Sequence, residues 1–211
     1  MADCDLLVIG AGPGGGSAAL HAARAGLSTV IVEADSDVGV PVHCGECLSQ
    51  IAVDNLDLEL PDEVIALDCK GIRVIFPDGT SRLLTEKGYV LEKHKFEQWL
   101  CTEAVKLGAQ LKLSHKVKSM ERIYNSENEF LYWKIDGKGD AFPIECKAVI
   151  DASGVTGAAT KILEMGTQIE MIAGIQYEMT DVENDGYLDF YLWPEYSPCL
   201  LYTSDAADDD H

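Results

Sequence analysis

The fold is decided by residues 6–33, which read LLVIGAGPGGGSAALHAARAGLSTVIVE. A short apolar run meets a cluster of glycines, an alanine-rich stretch follows, and a β-branched run ends at Glu33. Short apolar runs beside glycine predict strands, and the alanine-rich stretch predicts a helix between them. Gly26 stands where that helix should end, because glycine tolerates the positive φ of a helix C-terminus. The segment therefore predicts a βαβ unit.

The glycines of this unit match the G-x-G-x-x-G pattern at Gly10, Gly12 and Gly15, with Gly14 inside it. Such glycines allow a tight turn, close approach of the backbone to a pyrophosphate, and close packing of helix on strand. The helix N-terminus presents N–H groups and a partial positive charge to the phosphates. Glu33 can accept the ribose hydroxyls and repel a 2′-phosphate. We expect FAD or NAD rather than NADP; a glycine-rich turn without a ligand is the alternative.

Composition and charge limit the classes of function. The 211 residues are 47% apolar and 25% charged, which is ordinary for a chain with a packed core. The formal net charge of −20 argues against a nucleic-acid partner, because that binding depends on clustered Lys and Arg. Neither a membrane-spanning run nor a signal peptide is evident, so we expect a cytoplasmic protein. Seven cysteines, an odd number, predict reduced thiols rather than a disulfide framework.

Further elements follow from periodicity and turn residues. Pro77-Asp78-Gly79 predicts the turn of an antiparallel hairpin between strands 72–76 and 80–84. Apolar residues at three- and four-residue spacing predict an amphipathic helix over 93–107. The remaining predictions are a loop over 35–49, a turn at 137–139, and strands at 111–117, 130–135, 148–150, 172–177 and 187–193.

The last residues differ in character from the rest. Residues 199–208 read CLLYTSDAAD, which resembles the translation of a transposase adapter used to prepare DNA libraries. We therefore expect residues 199–211 to be non-native, and the natural sequence to be cut near Pro198 with its downstream part missing. A solvated acidic tail is the alternative. Without this segment the chain is still strongly acidic.

Two further segments carry a family resemblance. Residues 40–49 read VPVHCGECLS and residues 88–96 read GYVLEKHKF. With the βαβ unit, they resemble the geranylgeranyl reductase family, above all its archaeal digeranylgeranylglycerophospholipid reductases, over residues 4–198. The resemblance implies an α/β fold: a Rossmann-like FAD-binding domain of the p-hydroxybenzoate hydroxylase type, with the start of a mainly antiparallel substrate domain.

The same resemblance implies domain boundaries. Residues 1–170 are expected to form the FAD-binding domain, with a β-hairpin inserted at about 60–90. Residues 171–198 are expected to be the truncated start of the substrate-binding domain.

The resemblance places Cys44, Gly45 and Cys47 along the isoalloxazine ring of FAD. The family usually reads Pro-Val-Arg-Cys-Gly-Glu-Gly-Leu-Ser here, so His43 replaces an arginine and Cys47 replaces a glycine. Cys44 is the candidate catalytic group beside the flavin, and a small residue packed against the ring is the alternative. The C-x-x-C pattern also fits a dithiol pair or half a zinc site. No second ligand pair has zinc spacing, so we expect no metal site.

The resemblance also assigns cofactor contacts elsewhere. It places Lys93 near the ribityl or phosphate portion of FAD, where arginine is commoner, and the backbone of Val117 against the adenine. Lysine offers a point charge rather than a fork of donors; a solvated residue at a helix start is the alternative for Lys93. Asp151 to Gly154 resembles the turn that closes the FAD domain, and an Asp151 that only caps this turn is the alternative.

The function implied is an FAD-dependent oxidoreductase that reduces C=C bonds of geranylgeranyl chains in isoprenoid (archaeal ether) lipid precursors, inactive as this fragment. Its implied partners are an isoprenoid lipid substrate and an electron donor, either ferredoxin or NAD(P)H. Peripheral contact with the cytoplasmic membrane face is left open, although the acidic charge gives it no electrostatic support. The alternatives are a related flavin-dependent monooxygenase or halogenase, and a non-catalytic FAD-binding module.

Overall fold

A computed structural model describes residues 2–166, 175–177 and 181–195. The described strands are β1 (Cys4–Ile9), β2 (Thr29–Val32), β3 (Cys47–Ser49), β4 (Ile65–Cys69), β5 (Gly71–Ile75), β6 (Ser81–Leu84), β7 (Gly88–Leu91), β8 (Gln110–Lys112), β9 (Lys116–Tyr124), β10 (Phe130–Lys138), β11 (Ile144–Asp151) and β12 (Tyr187–Tyr191). The described helices are α1 (Pro13–Arg24), α2 (Gln50–Asn55), α3 (Lys93–Lys106) and α4 (Ala158–Ile162). The adapter-like tail and residues 172–174 of the predicted strand at 172–177 lie outside the described residues, and the described residues 175–177 do not form a strand.

The described residues form two compact units. The first holds residues 2–42 and 93–166, and the second holds 43–92, 175–177 and 181–195. The predicted domain boundaries, 1–170 and 171–198, stay a prediction. None of the four described helices has both the length and the apolar run that crossing a bilayer demands.

The first unit is built on a six-stranded sheet in the order β8-β2-β1-β11-β10-β9. Strands β8, β2, β1 and β11 are parallel to their neighbours. Strands β10 and β9 extend the sheet as an antiparallel hairpin. Strands β1 and β2 are almost wholly buried, which explains why their sequences are unbroken apolar runs. The predicted βαβ unit is confirmed.

Small residues bring α1 close to its neighbours. A Cβ on Gly16 would lie 2.9 Å from the Cβ of Leu100 on α3, so glycine sets the distance between the two helices. Ala19 and Leu20 are buried on the same helix. After α1, Gly26 takes a φ of 79°, as the sequence predicts for the residue that ends this helix.

The predicted strand at 111–117 is wrong, because it is two strands. Between β8 and β9 the chain turns at Ser114, which has a φ of 59°. The N–H of Ser114 donates to the carbonyl of Asp35 at 2.8 Å. A contact with a distant loop therefore breaks the apolar run, and serine gives no local signal for this conformation.

The predicted turn at 137–139 is wrong in its first two residues. Gly137 and Lys138 belong to β10, where the pairing with β9 shifts register at Gly137. A Cβ on Gly137 would lie 2.8 Å from the ring of Phe142. This glycine therefore allows close packing, whereas Gly139, with a φ of 130°, begins the turn.

The second unit contains two three-stranded sheets, β3-β7-β4 and β12-β5-β6. Three of its four described strand pairs are antiparallel, including the predicted hairpin β5–β6. Strand β12 pairs with β5 in parallel, and Arg73 Nε donates to Asp189 Oδ1 at 2.7 Å across this pair. Residues near 190 therefore complete a sheet that begins near residue 71. Strand β3 replaces the end of the predicted loop at 35–49, and helix α2 follows it directly.

Candidate dinucleotide-binding site

The turn between β1 and α1 depends on two glycines. Gly10 has a φ of 98°, and a Cβ there would lie 2.5 Å from the carbonyl oxygen of Ala152. A Cβ on Gly15 would collide with the carbonyl oxygen of Gly10. The N–H of Gly10 donates to the carbonyl of Val32 at 2.8 Å, which ties the turn to the end of β2. The turn therefore lies at the carboxyl ends of parallel strands, where α/β sheets place their ligands.

The N-terminus of α1 is suited to an anion. Gly12 occupies the N-cap position, no side chain caps it, and the first turn carries no acidic residue. Pro13 and Gly14 are exposed. The first N–H groups of a helix lack intrahelical partners and carry partial positive charge. A diphosphate is therefore a suitable ligand for this helix start.

Glu33 follows β2 and its carboxylate faces the glycine turn. Its Oε2 accepts the N–H of Ala11 at 2.7 Å, and its Oε1 accepts the N–H of Asp35 at 3.1 Å. Its backbone is also fixed, because its N–H donates to Lys112 at 2.9 Å and its carbonyl accepts from His115 at 2.7 Å. Each carboxylate oxygen can accept more than one hydrogen bond, so both oxygens keep capacity to accept ribose hydroxyls. Glu33 therefore holds the turn and suits a ribose.

Asp151 caps the turn that follows β11. Its carboxylate accepts the N–H of Ser153 at 3.1 Å, the hydroxyl of Ser153 at 2.6 Å and the N–H of Ala159 at 2.7 Å. Burial raises the pKa of Asp151, but these hydrogen bonds outweigh burial and hold that pKa below its ordinary value. The carbonyl oxygen of Ala152 lies where a side chain on Gly10 would be, so this turn lies beside the glycine turn. Capping by Asp151 is confirmed, whereas a cofactor contact through Asp151 or Gly154 stays a prediction.

Val117 is buried near the start of β9. Two residues earlier, the N–H of His115 binds the carbonyl of Glu33, which ties this strand to the candidate ribose acceptor. The His115 ring lies 2.6 Å from the carbonyl of Leu113 through Nδ1, and its Nε2 lies 3.0 Å from the N–H of Ala141. This pattern requires the hydrogen on Nδ1. The backbone of Val117 is therefore held near Glu33, and its contact with adenine stays a prediction.

Glu97 was not predicted from the sequence as a residue of the site. This residue of α3 has a side chain only 4% exposed, and it pairs with Lys93 one turn earlier. Its Oε1 lies 4.0 Å from the position that a Cβ on Gly12 would take. Lys93 is thereby held beside the glycine turn. The i,i+4 spacing was the available signal, but this spacing is equally typical of solvated helix faces.

The loop at Cys44–Cys47 belongs to the second unit. Cys44 and Cys47 are both exposed free thiols. The N–H of Glu46 lies 3.4 Å from Cys44 Sγ, and Cys47 Sγ donates to the Gly45 carbonyl at 2.9 Å. Burial, then the neighbouring thiols of Cys69 and Cys44, raise the pKa of Cys47, which favours a neutral thiol there. The placement of this loop along a flavin stays a prediction.

Comparison with known proteins gives one family and several relatives. A family model described as lycopene cyclase protein matches residues 5–195. The digeranylgeranylglycerophospholipid reductase of Thermoplasma acidophilum is 34% identical over 205 residues, which cover 91% of this chain and 51% of that protein. This chain spans about half the length of the curated relatives it matches.

Solved structures resemble the fold. A geranylgeranyl bacteriochlorophyll reductase-like protein from Thermoplasma acidophilum matches with a TM-score of 0.73 and 30% identity, over 90% of this chain and 50% of that chain. Aklavinone-11 hydroxylase, solved with FAD and aklavinone, matches with a TM-score of 0.61 and 16% identity, over 78% of this chain and 35% of that chain. The second likeness concerns the fold alone. The expected α/β fold with a Rossmann-like FAD-binding domain is confirmed.

Proposed function

The chain belongs to the lycopene cyclase protein family, and from this premise we propose that it holds FAD for a reductase of geranylgeranyl chains in isoprenoid lipid precursors. The names of its relatives support the substrate class, because they are digeranylgeranylglycerophospholipid reductases. One structural observation carries the proposal. An uncapped helix N-terminus and a fixed carboxylate meet at the glycine turn of the first unit.

The adenosine diphosphate half of FAD fits this turn. The N-terminus of α1, at Gly12 and Gly14, binds the diphosphate through backbone N–H groups, and a side chain at Gly10 or Gly15 would disturb the turn. Glu33 accepts the hydroxyls of the adenosine ribose, because both of its oxygens are already oriented by backbone N–H groups. A carboxylate at this place disfavours the 2′-phosphate of NADP.

The remaining assigned residues complete the proposed FAD contacts. The Val117 backbone holds the adenine, and Lys93 lies toward the phosphates. The turn from Asp151 to Gly154 closes the cofactor site.

The flavin end is assigned to the loop that holds Cys44, Gly45 and Cys47. FAD held there in its reduced form would supply hydride chemistry for one alkene carbon, and an acid would supply a proton for the other. Cys44, an exposed thiol, is proposed to act beside the flavin. The site must also exclude water and position the alkene, because the cofactor carries the difficult chemical step.

The reduction requires an electron donor, for which we propose ferredoxin or NAD(P)H. We propose that the protein is cytoplasmic and contacts the membrane face peripherally, since its substrate is a lipid. The net charge of −20 disfavours attraction to anionic lipid, so this contact would depend on apolar residues.

Two measurements test the proposal. The first titrates FAD into the 211-residue chain and follows flavin fluorescence; saturable binding is expected, and no binding would refute the FAD assignment. The second incubates the chain, and a full-length relative, with FAD, dithionite and a geranylgeranyl lipid, and measures lipid mass. We expect the full-length relative to raise the lipid mass by two hydrogen atoms for each double bond that it reduces.

Other products would overturn the reductase assignment. Added oxygen or halogen would indicate the monooxygenase or halogenase alternative. A product isomeric with the substrate would indicate cyclisation, which the description of the family names. Bound FAD with unchanged lipid in both proteins would indicate a binding module.

A further inference from the structure

A buried carboxylate lies under the glycine turn. The Glu97 side chain is 4% exposed, and its two oxygens face the positions that side chains on Gly12 and Gly39 would take. A buried charge is unfavourable unless a partner compensates for it. Lys93 is that partner, with a side chain 17% exposed. The first unit therefore holds a largely buried ion pair beside the glycine turn, which is its candidate binding site.

The stability of α3 alone does not explain this pair. Lys93 is the first residue of α3, where the helix dipole already places partial positive charge, and the first turn carries no acidic residue. Lysine four residues before glutamate is also the less stabilising order on a helix. An isolated helix would favour the opposite arrangement. The location beside Gly12 suggests a role in the binding site instead.

We propose that Glu97 is a positioning residue for the phosphates of the dinucleotide and acts through Lys93. The proposal rests on the FAD binding proposed above. An ammonium group has three donors, so Lys93 keeps its bond to Glu97 and also donates to a phosphate oxygen at the start of α1. Glu97 restricts a long, flexible side chain to this place, which lowers the entropy lost when the phosphates bind.

Lys93 also screens the phosphates from negative charge. Burial raises the pKa of the Cys101 thiol to about 12, and the nearby carboxylates of Glu97 and Glu33 contribute to this rise. Cys101 is therefore neutral and its Sγ donates to the Ala11 carbonyl at 3.6 Å. Loss of the ammonium would leave Glu97 uncompensated beside the incoming phosphates.

A double-mutant cycle on FAD affinity tests the role. K93M is expected to weaken FAD binding at least about tenfold, because it removes a phosphate partner and exposes the ligand to the charge of Glu97. E97Q keeps the shape of the side chain but releases Lys93, and is expected to weaken binding about fivefold. The double variant K93M/E97Q should bind FAD more tightly than K93M. K93R, which keeps both the charge and the reach to Glu97, should stay within about threefold of the wild type.

Whether E97Q weakens or tightens FAD binding distinguishes a Glu97 that positions Lys93 from a Glu97 that only repels the phosphates. If Glu97 merely repels the phosphates, removing its charge tightens FAD binding; if it positions Lys93, removing its charge weakens binding. E103Q is the matched control, since Glu103 pairs with Lys106 on the same helix at 2.7 Å but both side chains are more exposed. Its affinity should equal that of the wild type.

The outcomes separate this inference from the function it rests on. A wild type that fails to bind FAD refutes the proposed function. A wild type that binds FAD, with E97Q binding as tightly or more tightly, overturns the role of Glu97 and leaves the function standing. Melting temperatures without FAD identify variants that do not fold. If E97Q does not fold, K93M and the double variant decide: because Glu97 acts through Lys93, E97Q should not weaken FAD binding further once Lys93 is replaced, and a double variant that binds FAD more weakly than K93M would overturn the role.

Discussion

Two adjacent glycines of α1 should respond to alanine with opposite signs. Gly14 and Gly15 both lie in the first turn of the helix, where alanine is intrinsically better than glycine by up to about 1 kcal/mol. A Cβ on Gly14 meets only the Cβ of Ala152 at 3.9 Å, which is ordinary contact. G14A should therefore leave the free energy of unfolding unchanged or raise it by up to about 1 kcal/mol.

G15A should destabilise the chain instead. Its Cβ would collide with the carbonyl oxygen of Gly10 and lie 3.3 Å from Val8 Cγ1, so α1 must move away from β1. Overpacking of this kind costs about 1–3 kcal/mol. Because the gain in helix propensity is common to both variants, they should differ by about 1–3 kcal/mol, or roughly 2–12 °C in melting temperature for a chain of this size.

Thermal melting followed by circular dichroism, without FAD, measures this difference. Because the two substitutions add the same methyl group to neighbouring residues of one helix, composition and unfolded-state effects cancel between them. G15A as stable as G14A would refute the claim that the collision with Gly10 fixes α1 on β1.

Three further predictions follow from individual contacts. Hydrogen bonds hold the pKa of Asp151 below its ordinary value of 3.8, so the ionised Asp151 stabilises the fold above about pH 4 and this contribution is lost at lower pH. Urea unfolding from pH 7 to pH 3 should therefore show the free energies of unfolding of the wild type and D151N converging in acid. A difference between them that stays constant with pH would contradict this. H115A should lower the free energy of unfolding by about 1–3 kcal/mol, because the N–H of Ala141 loses its acceptor. A free energy of unfolding in urea at pH 7 equal to that of the wild type would contradict this. Replacing the residue equivalent to Cys44 by alanine in a full-length relative should sharply lower alkene reduction while flavin content, read from absorbance, stays intact; unchanged turnover would leave Cys44 as a packing residue.

The βαβ unit could be predicted because its signals are local. The glycines, the alanines of α1 and the β-branched run of β2 each favour a particular local backbone conformation, and β2 (Thr29–Val32) lies where the β-branched run before Glu33 predicts a strand. The hairpin around Pro77-Asp78-Gly79 was predictable for the same reason. In each case the residues that determine the conformation are neighbours in the chain.

The errors arose where distant residues determine the conformation. Ser114 adopts positive φ because its N–H reaches Asp35, and nothing in the local sequence marks that contact. Gly137 lies inside a strand, where a Cβ would collide with the Lys116 carbonyl and the ring of Phe142, although glycine commonly marks a turn. The partner of β12 was likewise unpredictable, since Arg73 and Asp189 are 116 residues apart.

Glu97 shows why the candidate site was only partly predictable. Its burial depends on the approach of α3 to α1, which is set by Gly16 and Leu100 rather than by residues next to Glu97. The glycines were recognisable because the tight turn itself requires them at Gly10 and Gly15, whereas the Lys93–Glu97 pair comes to lie beside that turn only when α3 packs against α1. A sequence pattern can therefore identify the residues that a local turn requires. The groups that lie beside that turn depend on tertiary packing, and they must be found in the structure.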